Sequence, residues 1–114
     1  MQSVTSQWLE ERGALHDACV LGLRIVGPNL EIEVDDEWVN ERGLSRPKSV
    51  KAPGTFIVEG FSFQSHKPDA ATGGWVSEMS LRGDELDLVF CDRPSLSLRV
   101  GAIWWRSENA ASRV

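Results

Sequence analysis

Hydrophobic positions change period once along the chain, near residue 18, from a short helical pattern to long runs of alternation. The opening segment predicts a helix over 3–12: Ser3, Thr5 or Ser6 can cap it, Trp8 and Leu9 give it an apolar side, and Gly13 suits a left-handed exit. A helix of about ten residues is marginal alone, so its Trp8–Leu9 side must dock on something. From Ala18 the period is two. In 18–26, Cys19, Leu21, Leu23 and Ile25 share one face, and Val20, Gly22, Arg24 and Val26 the other. Gly27-Pro28-Asn29 is a turn, and Leu30, Ile32 and Val34 then alternate with Glu31, Glu33 and Asp35. Strand, tight turn, strand is the strongest local signal in the chain.

Further strands are predicted at 55–63, 75–81, 85–91 and 95–106, the fourth and fifth joined by a hairpin turn on Gly83-Asp84. The stretch 36–54 is irregular and holds two prolines, and 64–74 is a loop rich in Gly, Ala, Pro and Asp. Six strands joined mostly by short turns predict a mainly β fold: one antiparallel six-stranded meander forming a curled sheet, half-barrel or small sandwich, with a short N-terminal helix. The expected core is Leu21, Leu23, Ile25, Ile32, Val34, Leu86, Leu88, Phe90, Leu98, Val100 and Trp104. Trp105, on the opposite phase, is expected to be partly exposed or covered by the helix. Residues 1–106 are expected to be one domain and 107–114 a polar tail.

Composition adds limits to this picture. At 114 residues, 41% hydrophobic and 25% charged, the chain is ordinary for a folded globular protein. No apolar run approaches the roughly 20 residues of a membrane helix. The N-terminus has neither the basic start nor the apolar stretch of a signal peptide, which predicts a cytoplasmic protein. Cys19 and Cys91 have no metal or redox spacing and read as reduced core residues. The net charge of −5 argues against nucleic acid as a partner. Its distribution is uneven: residues 1–41 hold nine acids and two arginines, net −7, and residues 42–114 hold ten bases and eight acids, net +2. An acidic pole of this kind can steer a basic partner.

Candidate chemistry is sparse. His16, Asp17 and His66 are the residues a metal or small ligand would use, but no His-x-His, His-Glu-x-x-His or calcium-loop spacing occurs, and no bound metal or cofactor is expected. His16 reads instead as a half-buried side chain orienting a turn through a hydrogen bond. There is no Gly-x-Ser-x-Gly elbow, no basic cluster beside either cysteine, and no lysine partner for Gly73-Gly74. The chain therefore reads as a binding protein and not an enzyme. Arg82-Gly83-Asp84 is explained by its hairpin turn. The partner-binding residues are expected to be Glu31, Glu33, Asp35, Asp36, Glu37 and Trp38, five acids within seven residues directly before a tryptophan. Self-association through a strand edge, giving a homodimer, is a further expectation.

Leu15-His16-Asp17-Ala18 running into a strand, turn and strand, with a later hairpin and a closing strand ending in Ile103-Trp104, resembles a pattern in small bacterial β domains of unknown function, some of them immunity-protein-like. The resemblance spans 15–35 and 75–105 and does not extend to 42–54. It implies a β fold and a non-catalytic role, the most specific form being an inhibitor of a basic protein partner. It supplies no catalytic residue.

Overall fold

The structure, a computed structural model, describes residues 1–35, 53–65 and 67–107. In chain order it contains β1 (Gln2–Ser3), α1 (Ser6–Glu11), β2 (Cys19–Val26), β3 (Asn29–Asp35), β4 (Pro53–Glu59), β5 (Ser62–Phe63), β6 (Val76–Arg82), β7 (Glu85–Phe90), β8 (Leu96–Arg99) and β9 (Ala102–Ser107). Two antiparallel sheets result, with strand orders β1-β9-β4-β3-β2 and β5-β8-β7-β6. This corrects the single six-stranded meander: the described residues form nine strands in two sheets. β9 also takes in Ser107, the first residue of the expected tail.

The correction has a local cause at two glycines. The third and the last expected strands are each broken in two, at Gly60–Phe61 and at Val100–Gly101. Gly60 turns with φ +64, and a Cβ on Gly101 would lie 3.1 Å from the carbonyl oxygen of Glu59. The Gly101 N–H donates to that oxygen at 2.7 Å. The two bent strands lie side by side, β4 against β9 and β5 against β8, so both sheets share this corner. On the far side the sheets meet again where Cys19 bridges Trp75. Four backbone hydrogen bonds join them there: Asp17 to Val76 (2.9 Å), Val76 to Ala18 (2.7 Å), Val20 to Gly74 (2.9 Å) and Gly73 to Val20 (2.8 Å).

The break at Gly101 also shifts the side-chain phase. Leu96, Leu98 and Val100 are buried, and the next buried positions are Ile103 and Trp105. Trp105, not Trp104, is therefore core, whereas Trp104 stands half-buried on the outer face. Trp105 packs 4.8 Å from Phe56 and 5.7 Å from Trp8, centroid to centroid. Gly54 leaves room for this cluster, since a Cβ there would overlap the Trp105 ring.

β2 departs from expectation for a similar reason. Its register against β3 shifts between Val20 and Gly22, making Leu21 the extra residue of a bulge. Val20 is buried, but Leu21 is 46% exposed. Ile25 does face inward, opposite Leu30, yet it lies at the sheet edge and is 62% exposed. Leu23 packs against the core only in part. The remaining expected core residues, Ile32, Val34, Leu86, Leu88, Phe90, Leu98 and Val100, are all buried. Two other expectations fail: Cys91 is exposed, with Cys19 half-buried, and the His16 side chain is 60% exposed.

The N-terminal helix docks as its sequence requires. The Thr5 hydroxyl accepts from the Trp8 N–H at 3.1 Å, and Trp8 and Leu9 are buried. Gly13 exits with φ +64, and Ala14, Leu15 and Asp17 follow with φ of 54°, 56° and 72°. Such conformations are unfavourable for residues with a Cβ, and the complete burial of Leu15 offsets that cost. No helix among the described residues is long and apolar enough to cross a membrane.

Candidate functional site

The outer face of the five-stranded sheet is where the expected acidic residues converge with partners from far away in sequence. Cross-strand neighbours share a face in antiparallel pairing, so the register gives its rows. One row runs Arg24, Glu31, Ile57, Trp104, Ser3, and the next runs Gly22, Glu33, Thr55, Arg106. Asn29, Glu59 and Ala102 form a third. Between the first two rows lies an open cleft of about 250 Å³, lined by Gly22, Arg24, Glu31, Glu33, Thr55 and Arg106 among others.

Glu31 is the hub of this face. Its side chain is only 13% exposed, and Arg24 Nη2 donates to its Oε1 at 3.0 Å. Arg106 Nη2 stands 3.6 Å from the same oxygen. A half-buried carboxylate between two guanidiniums is electrostatically matched and ordered, and it presents little free negative charge. Glu33 differs: it is exposed and faces solvent across the cleft. Asp35 follows at the end of β3, half-buried, opposite Cys19 and Pro53. Counting the described outward positions, Glu31, Glu33, Asp35 and Glu59 stand against Arg24 and Arg106, so the face keeps an excess of two acids. On the same face the indole N–H of Trp104 is buried with no acceptor among the described residues.

The structure thus brings Glu31, Glu33 and Asp35 together on one face of β3, as their alternation predicts. Asp36, Glu37 and Trp38 lie outside the described residues. Sequence reasoning missed the two arginines. The first was legible: a two-residue turn that sets Val26 opposite Asn29 also sets Arg24 opposite Glu31. Arg106 and Thr55 arrive through β4 and β9 and carry no local signal.

The residues considered for a metal or small ligand sit elsewhere. The His16 Nδ1 lies 3.0 Å from the Ser77 carbonyl oxygen, which can only accept, so this nitrogen carries the proton. His16 therefore does orient the turn before β2 by a hydrogen bond. Its Nε2 is 3.5 Å from Asp17 Oδ1, both side chains being exposed. His66 lies outside the described residues. Among the described residues no three His, Cys, Asp or Glu side chains cluster as metal ligands would.

One carboxylate elsewhere has a shifted titration. Arg93 donates to both oxygens of Asp92, Nε to Oδ1 at 3.3 Å and Nη2 to Oδ2 at 3.1 Å. The hydrogen bond from Arg93, more than its charge, holds the Asp92 carboxyl below its ordinary value. The same guanidinium donates through Nη1 to the carbonyls of Ala70 (2.9 Å) and Thr72 (2.7 Å), which pins the loop leading into Gly73.

Comparison with family models, curated proteins and solved structures finds no match to this chain.

Proposed function

We propose that this protein is a non-catalytic binding module of the cytoplasm that takes a basic protein surface on the outer face of its five-stranded sheet. Its most specific form is an inhibitor of the immunity-protein kind. The observation that carries the reading is Glu33: an exposed acid fixed on a central strand, beside a Glu31 whose charge two arginines already match. A charge held on rigid backbone needs little ordering on association, so it serves steering and register well. Arg24, whose side chain is largely exposed, adds donors at the rim that select carboxylates or carbonyls on the partner.

This geometry dictates which variant tests the proposal. Reversing Glu31 would set three cations against one another and disturb the sheet, so Glu33 is the residue to change. Affinity capture followed by mass spectrometry identifies the partner, and stopped-flow association at low and high salt measures steering. Glu33→Lys is expected to slow association severalfold at low salt, with the difference fading as salt rises. A partner that is itself acidic, or whose association rate ignores both Glu33→Lys and salt, would refute the reading.

A further inference from the structure

Three oxygen-bearing side chains converge on the cleft between the first two rows of the outer face. Glu33 extends from β3 with its side chain exposed. Two residues before it on the same strand, Glu31 receives Arg24 Nη2 at Oε1, and Arg106 Nη2 approaches the same oxygen. Among the described residues no hydrogen bond reaches its Oε2. The third is Thr55, directly opposite Glu33 on β4. It lines the cleft, it is only 2% exposed, and among the described residues its hydroxyl has no hydrogen-bond partner. Polar groups set that deep find hydrogen-bond partners, and for Thr55 the cleft is the side from which one can come.

We propose, resting on the basic-partner reading, that this cleft seats one arginine side chain of the partner, its guanidinium between Glu33, Thr55 and Oε2 of Glu31. The chemistry of the lining selects the occupant. All three groups accept hydrogen bonds and two are anionic, so the ligand is a cation with several donors. Glu31 and Glu33 stand two residues apart on an extended strand, roughly 7 Å. Thr55 lies about 5 Å across from Glu33. An ammonium is a compact point charge that satisfies one of these groups at a time. A guanidinium spreads five donors over a planar fork and spans all three. An anion would meet the Glu33 carboxylate, while Arg24 and Arg106 are already directed at Glu31.

The cleft has both room and an entrance. Its volume of about 250 Å³ admits a guanidinium with its methylene stem. In the row of Glu33 and Thr55, β2 contributes Gly22, where a Cβ would meet nothing within 4 Å among the described residues. With no side chain at that position, the stem of the arginine lies over the Gly22 backbone and enters from the β2 side. The described face carries more acids than bases, so an added cation is still drawn to it although two guanidiniums stand nearby. Roles divide accordingly. Glu33 attracts the cation from a distance, and Thr55 acts only once the side chain is seated.

An amide NMR titration of the full chain tests the proposal, with N-acetyl-arginine amide as the probe, N-acetyl-lysine amide as the matched cation, and constant ionic strength. The arginine compound is expected to shift the Gly22, Glu33 and Thr55 resonances saturably and to bind severalfold more tightly than the lysine compound. Thr55→Val, which keeps the β-branched shape of the side chain, should weaken it about tenfold, as should Glu33→Gln. Thermal midpoints verify that both variants fold. An arginine compound that shifts nothing in this cleft, binds no better than the lysine compound, or ignores Thr55→Val would overturn the inference. If Glu33→Lys then still slows association of the basic partner at low salt, the face steers charge without seating an arginine, and only the inference fails. If association ignores Glu33→Lys as well, the basic-partner reading fails with it.

Discussion

The β2–β3 and β6–β7 hairpins are built alike. Each opens with a register shift after its first residues, at Val20/Gly22 and at Val76/Glu78. Each closes on a two-residue turn whose glycine has positive φ, Gly27 at 59° and Gly83 at 62°. Their fates differ. The outer strand of the second, β6, buries Val76 and Met79, whereas the outer strand of the first leaves Leu21 and Ile25 in solvent. The cause lies in neither strand. Helix α1 and the 13–17 turn lie against β6 and satisfy its edge carbonyls, whereas among the described residues β2 has only the 73–75 segment at its start. Alternation tells which side chains share a face; what covers the edge decides whether that face is buried.

Substitutions on the two edges should separate them most clearly. Leu9 is the buried side chain by which α1 seats over the β6 side, so Leu9→Ala should lower unfolding stability by about 2–5 kcal/mol in urea denaturation. Ile25→Ala, at a largely exposed side chain, should change it by no more than about 0.5 kcal/mol. Equal losses would mean that both edges are equally covered.

A smaller effect is expected where β2 does have a cover. Arg93 holds the carbonyls of Ala70 and Thr72 and so the loop that reaches Val20. Arg93→Ala should cost about 1–3 kcal/mol. Amide hydrogen exchange should also quicken at Val20 and Gly73 while β6 stays protected. Unchanged exchange at Val20 would show that the 73–75 segment holds its place without the guanidinium.

The smallest expected effect is on the Asp92 carboxylate. Its folded value lies below the ordinary 3.8, so its contribution is full above that pH and is lost as pH falls through the lower folded value. The difference in thermal midpoint between wild type and Asp92→Asn should therefore shrink as pH drops below 3.8. A difference that grows on acidification would reverse the sign of the assigned interaction.

Much of this molecule was legible in its sequence because the information was local. Thr5, Trp8, Leu9 and Gly13 specify a capped, amphipathic, terminated helix within one stretch. The alternation of Leu30, Ile32 and Val34 with Glu31, Glu33 and Asp35 placed three acids on one outward face. The Gly27-Pro28 turn fixed the β2–β3 partners around it. What failed was long-range: a glycine at 101 that crowds Glu59 breaks the last strand and exchanges Trp104 for Trp105 in the core. No pattern within 95–106 announces that contact.

The candidate site divides along the same line. Its acids follow from period two alone, because a strand cannot turn neighbouring side chains to one face. That Glu31 is matched by Arg106, and that Glu33 rather than Glu31 carries the open charge, depended on two strands arriving from the far end of the chain. Local propensity and turn geometry act over a few residues and can be read directly. Which edge is covered, and which charge is neutralised, are set by packing between distant segments, and only the folded chain decides them.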